Sequence, residues 1–194
     1  METLWSDFLN SRAGDWRGGS GLQERMGKEK WQRYFLERWS LSAPAPASGE
    51  TVKELQAFRE QLRALVQHYI AGGLVSEKDL EMLNPVLAKG PVIRCAIIQG
   101  GVISMEGVPL RNDWEQIMAE VAASFLHTLT AGEPSRIRIC DNPDCGWIFY
   151  DDTRNRTKKY CEDKTCGNLM KVRRFRAKKK EQELGKDTTT TSGE

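Results

Sequence analysis

Histidine is nearly absent from this chain, with two in 194 residues, and there is no apolar run of about 18 residues, the length a helix needs to cross a bilayer. The opening residues Met1-Glu2-Thr3-Leu4-Trp5 lack the charged-then-apolar layout of a secretion signal. Together these absences predict a soluble, cytoplasmic protein with no membrane partner. Cys95 lies in the apolar run Val92-Ile93-Arg94-Cys95-Ala96-Ile97-Ile98, where a buried inert thiol is expected, and no motif ties it to His68 or His127. Asp141, Asp144, Asp151 and Asp152 read as turn formers and solvated charges. The chain is therefore not expected to be an enzyme.

Cysteine is also scarce but unevenly placed: of five, four fall within 27 residues as Cys140-x4-Cys145-x15-Cys161-x4-Cys166. Two close pairs separated by a spacer can each present two sulfurs to one tetrahedral centre, and a reducing compartment keeps such thiols free for metal. Four cysteines would close the coordination sphere, and no histidine lies between Arg136 and Lys180, so the pattern fits structural Zn²⁺ better than a catalytic site with an open position. Mononuclear iron and iron–sulfur clusters use four thiolates as well, but usually with other spacings. Arg136–Ile139 and Trp147–Tyr150 look like the arms of a hairpin carrying the first pair. Cys166 precedes a helical stretch whose N-terminal dipole favours thiolate.

The formal net charge of +2 hides a split. Residues 136–180 hold 14 Lys/Arg against 6 Asp/Glu, and the remainder 15 against 21, giving +8 and −6. Four thiolates around Zn²⁺ would lower the first figure to about +6, still a footprint for a polyanion. The candidate nucleic-acid contacts are Arg154, Arg156, Lys158, Lys159, Lys171, Arg173, Arg174 and Lys178. On a helix, Lys171, Arg174 and Lys178 share one face, while Leu169, Val172 and Phe175 form an apolar stripe able to pack on the cysteine module. DNA is the expected partner. The alternatives are an acidic protein held by the same surface, or a small-molecule site or enzyme in the N-terminal region around Asn10 and Arg12, the candidate ligand-binding residues there.

Along the rest of the chain, Leu4, Trp5, Phe8 and Leu9 predict a short helix, 14–21 a loop, and Leu22–Trp39 a helix with Trp31, Phe35 and Trp39 on one side. Pro44 and Pro46 make 42–49 a connection. Thr51 and Glu54 form a capping box for a helix ended by Gly72-Gly73. Ser76 opens another helix, which Pro85 ends or kinks. Val92–Met105 reads as a hairpin about Gln99-Gly100-Gly101, and Asp113 caps a helix through Leu129. The fold class is α+β, mainly α: a helical domain with a small β-hairpin over 1–135, a four-cysteine module of hairpin and basic helix over 136–180, and a polar, disordered tail over 181–194.

The run Cys140-x4-Cys145-Gly146-Trp147-Ile148-Phe149-Tyr150-Asp151, then Arg154-Asn155-Arg156-Thr157, then Cys161-x4-Cys166-Gly167-Asn168, resembles the CGNR zinc-finger family. Leu169 stands where that family has its arginine. Asp7-Phe8-Leu9-Asn10-Ser11 and Trp39-Ser40-Leu41 look like the opening motif of the ABATE domain, a stress-linked regulatory domain that commonly precedes this finger. The resemblance implies a bacterial transcription regulator with a C-terminal DNA-binding zinc module and an N-terminal domain that senses a small-molecule effector or forms a homodimer.

Overall fold

The computed structural model describes residues 3–18 and 21–187, with side chains as far as Glu183. In chain order the elements are α1 (Leu4–Leu9), β1 (Arg12–Gly14), β2 (Leu22–Glu24), α2 (Glu29–Arg38), α3 (Gly49–Ile70), α4 (Glu77–Ala88), β3 (Val92–Gln99), β4 (Val102–Pro109), α5 (Trp114–Thr130), β5 (Ile137–Ile139), β6 (Ile148–Tyr150) and α6 (Asn168–Asp187). The strands pair as three separate antiparallel hairpins, β1–β2, β3–β4 and β5–β6. The fold is thus α+β and mainly helical.

The short helix α1 is the plug of the core. Trp5, Phe8 and Leu9 are completely buried; Trp5 meets Phe125 of α5 edge-on at 5.5 Å, and Phe8 packs on Phe35 of α2 and Phe58 of α3. The one polar atom of the Trp5 ring is satisfied, its Nε1 donating to Thr128 Oγ1 at 2.9 Å. Such a short helix would not persist alone. Its capping box, Thr3 with Ser6, and the aromatic contacts on three sides hold it.

Charged groups follow α1 inward. Asp7 is buried and accepts from Trp39 Nε1 at 2.8 Å, so the two pieces of the N-terminal motif meet; burial pushes its carboxyl above the usual range against the pull of Trp39 and Arg38. Arg59 of α3, also buried, donates to both oxygens of Glu24 at 2.8 and 2.6 Å and to Ser11 Oγ at 2.9 Å. This clamp explains why Leu22–Glu24 is a strand and not the start of a helix: Glu24 is drawn onto Arg59, and 22–24 pairs with 12–14.

Other local departures have local causes. The helix expected at Leu22 begins only at Glu29. Helix α3 is capped by Ser48, whose side chain accepts from Thr51 N–H, so its cap lies three residues before the expected Thr51. Pro85 lies inside α4 without ending it; Pro85 and Glu81, four residues earlier, are both exposed, which leaves the freed carbonyl to water. Helix α6 continues through 181–187, rich in helix-forming Glu, Gln, Leu and Lys, where a disordered tail was expected; the remaining tail residues, 188–194, lie outside the described residues.

The hydrophobic core does not stop near residue 135. Ile137 and Ile148, on β5 and β6, belong to the same buried cluster as α1, α3 and α5. Asn10, at the end of α1, is 1% exposed, and its amide makes two bonds to one residue: Nδ2 donates to Ile148 C=O at 2.7 Å and Oδ1 accepts from Ile148 N–H at 2.9 Å. Asn10→Leu would strand both backbone groups in the core, and denaturant unfolding should show a loss of about 2–6 kcal/mol, two unsatisfied buried groups' worth.

Candidate metal centre

β5 and β6 lie side by side in register Ile137↔Tyr150, Arg138↔Phe149 and Ile139↔Ile148, and the connection between them carries Cys140 and Cys145. Cys140 N–H donates to Trp147 C=O and Cys145 N–H to Asn142 C=O, closing a tight turn. Cys161 comes from the returning loop, and Cys166 from a wide helical turn over Asp163–Gly167 that runs directly into α6. The last sulfur and the first turn of the basic helix are one piece of chain.

The four Sγ atoms lie within 4.8 Å of one another, with Cys145 to Cys161 at 3.8 Å and Cys161 to Cys166 at 3.7 Å. A disulfide would need about 2.05 Å. Four sulfurs at tetrahedral corners about 2.3 Å from a central ion stand about 3.8 Å apart, so the spacing and the soft donor set fit a closed metal site. Cys140, Cys145 and Cys166 are buried and Cys161 is half-buried. Asn142 Nδ2 donates to Cys166 Sγ at 3.4 Å and Cys161 N–H to Cys140 Sγ at 3.5 Å, the N–H donors that a metal thiolate attracts.

Proton chemistry shows why such a cluster calls for a cation. Hydrogen bonds from the Cys145 and Cys161 thiols hold Cys140 down to about 2, whereas the bond to Cys140 pushes Cys145 up to about 12 and Cys161 is pushed up by its bonds to both. Ionising all four requires positive charge at their centre.

The centre is laced to the N-terminal body along the segment after α1. Gly14 N–H donates to Cys145 C=O at 3.0 Å, and Asn142 Nδ2 donates to Trp16 C=O at 2.9 Å. Arg63 of α3 donates to the Gly146 carbonyl, and Arg173 of α6 bonds Asp144 Oδ2 at 2.6 Å. A side chain at Gly14 would place its Cβ 1.9 Å from the Asp144 carbonyl oxygen, a backbone atom that would have to shift. Beside the sulfurs opens a cleft of about 490 Å³ walled by Trp16, Trp147, Phe149 and Lys158.

The expected contact residues divide. Arg154 and Lys159 are exposed, as are Lys171, Arg174 and Lys178 on α6. Lys158 is half-buried, with Nζ 5.5 Å above the Phe149 ring. Arg156 pairs with Glu133, and Arg173 is held by Asp144 and by the Arg17 carbonyl, so these two are committed within the fold. Asn10 is a strut against Ile148, both ends of its amide already used, and Arg12 pairs with Glu60 at 3.3 Å; neither forms a ligand pocket with the other. Leu169 and Met170 are half-buried, but Val172 and Phe175 are exposed, so the apolar stripe packs only at its first turn.

Asp151 is fully buried, unlike the solvated charge expected. Its carboxylate accepts from Thr153 N–H and Oγ1 and from Lys158 N–H, holding it below the usual range against desolvation and fixing the Arg154–Lys158 loop. Arg136 and Arg138 bind the same loop through the carbonyls of Asp151, Thr153 and Arg156. Arg156 itself has φ of 54°, a left-handed conformation that a non-glycine residue adopts only when its surroundings hold it there. The roles of Gly14 and Asn142 left no mark in the sequence beyond residue types common in turns.

Two family models match the chain. The model described as "ABATE: Putative stress-induced transcription regulator" covers residues 2–132, and that described as "CGNR zinc finger" covers 136–179. Comparison with curated proteins gives no significant match. Replacing Gly14 by Ala should push the Asp144–Cys145 backbone off the N-terminal segment at a cost of about 1–3 kcal/mol, the usual range for overpacking. Thermal melting and the rate of native thiol alkylation would check this; unchanged values would contradict the close approach.

Proposed function

Since the chain belongs to the ABATE family and carries a CGNR zinc finger, we propose that it is a DNA-binding transcription regulator in which a structural Zn²⁺ holds the basic helix α6 in place. Cys140, Cys145, Cys161 and Cys166 would hold the ion, whose role is to fix shape. Four thiolates leave no open position for a substrate.

The observation that carries this reading is the form of α6. It has 20 residues, about 30 Å of helix, and every described side chain from Arg174 onward is exposed. Between Lys171 and Lys180 it bears no acidic residue. Lys171, Arg174 and Lys178 share a face, and Phe175, 69% exposed, lies four residues from Lys171 and three from Lys178. A cationic helix of this width suits the major groove, with cations on phosphates and an aromatic edge free for a base. Near the β5–β6 hairpin, Arg138, Arg156, Lys158 and Lys159 line a cleft of about 250 Å³ whose lining holds one acidic residue, Asp141. The negatively charged N-terminal body supplies the regulatory half, for an effector or a partner copy.

With the metal-loaded chain, duplex DNA affinity should fall with salt at a log–log slope equivalent to about four to six released counterions. The triple variant Lys171→Glu, Arg174→Glu, Lys178→Glu should remove at least half of that slope and leave thermal stability unchanged, because among the described residues none of the three forms an ion pair with an acidic group. Equal competition by polyglutamate and duplex DNA would instead favour an acidic protein as the partner, and a flat salt dependence would exclude both.

A further inference from the structure

The β3–β4 hairpin stands away from the body. Its two strands of eight residues contact each other closely, and none of its residues is buried. A lone two-stranded hairpin is marginally stable at best in water. This one is apolar on both faces: Val92, Ala96 and Ile98 alternate with Ile93, Cys95 and Ile97 on β3, and Ile103 and Met105 with Val102 and Val108 on β4. Its most exposed large apolar side chains are Ile98 at 77% and Ile103 at 76%.

We propose that this hairpin is a dimerisation arm, and that its occupant is the same hairpin of a second copy, paired antiparallel along β3 about a twofold axis. The proposal does not depend on the nucleic-acid reading. Pairing along β3 turns two lone hairpins into one four-stranded sheet, past the three strands a free-standing sheet needs, with Val92, Ile93 and Ile98 at the seam and Val102, Ile103 and Met105 on the outer strands. Over its whole length β3 contains no Gly or Pro and one charge, Arg94, so it lacks the devices that normally blunt an edge. β4, with Gly107 and Pro109, is the poorer edge.

The register follows from the turn. Gly100 and Gly101, both with positive φ, form a two-residue loop that makes Gln99 and Val102 a hydrogen-bonded pair. At the base of the hairpin Leu110 N–H donates to Pro91 C=O, in the same alternation. The N–H and C=O groups of Val92, Arg94, Ala96 and Ile98 therefore point away from β4. A twofold through Cys95 sets Val92 against Ile98, Ile93 against Ile97 and Arg94 against Ala96, so that no like charges are directly opposed, the two Arg94 side chains lying on a diagonal, and the apolar rows are continuous across the seam. Cys95 then faces its own copy in a non-hydrogen-bonded pair, with Cα atoms about 4.5 Å apart, within disulfide reach.

Sedimentation equilibrium of the full metal-loaded chain should give twice the chain mass of 22.0 kDa at tens of micromolar. Ile93→Lys with Ile97→Lys, which sets lysines against lysines across the seam, should raise the dimer dissociation constant at least 100-fold with the melting of the helical body unchanged. Mild diamide oxidation should cross-link the wild type and not Cys95→Ser. A monomeric wild type, a lysine variant that still dimerises, or a dimer that fails to cross-link through Cys95 would each overturn the proposal.

Discussion

Four cysteine sulfurs within 4.8 Å of one another cannot all be anionic unless a cation sits among them, and the C-terminal third of this protein is organised by that constraint. The β5–β6 hairpin brings two sulfurs to its tip, the returning loop brings the third, and the turn that carries the fourth becomes the first turn of α6. Little else holds that helix: beyond the Arg173 bonds to Asp144 and to the Arg17 carbonyl and a half-buried first turn, none of its described side chains is buried against the body. Its direction therefore depends on where Cys166 is held.

The same centre is not a bead on a string. Asn10 binds Ile148, Gly14 meets Cys145, the Trp16 carbonyl receives Asn142, and Arg63 reaches Gly146. All these contacts join the metal loop to α1, to the segment after it, or to α3, which are also the elements that hold Asp7, Arg59 and the aromatic core. A rearrangement of the helical body has a short physical route to the base of α6. For a regulator that is the useful place for coupling, since the basic surface is oriented there.

Much of this architecture was legible in residue pattern and chemistry. The spacing of four cysteines gave the metal centre, the turn residues between them the hairpin, and the two glycines after Gln99 the β3–β4 reversal. What could not be read were interactions made by tertiary approach. Leu22–Glu24 has a helical period, yet Glu24 is captured by Arg59, 35 residues away in sequence, and the segment becomes a strand. Asn10 looked like a ligand contact, and nothing local says that its amide would match the backbone of Ile148. Arg173 and Arg156 count as free cations in a sequence, but Asp144 and Glu133 claim them in the fold. Asp151 looked like surface charge and proved to be the buried pin of its loop.

The central claim is that one metal ion and the helical core are stabilised together. Native mass spectrometry of gently purified protein, followed by melting before and after chelation, tests it most directly. The account predicts one zinc per chain and, on chelation, a large drop in melting temperature seen equally in helix content and in tryptophan fluorescence. Protein without stoichiometric metal, or a helical body that melts at the same temperature once the metal is removed, would contradict it.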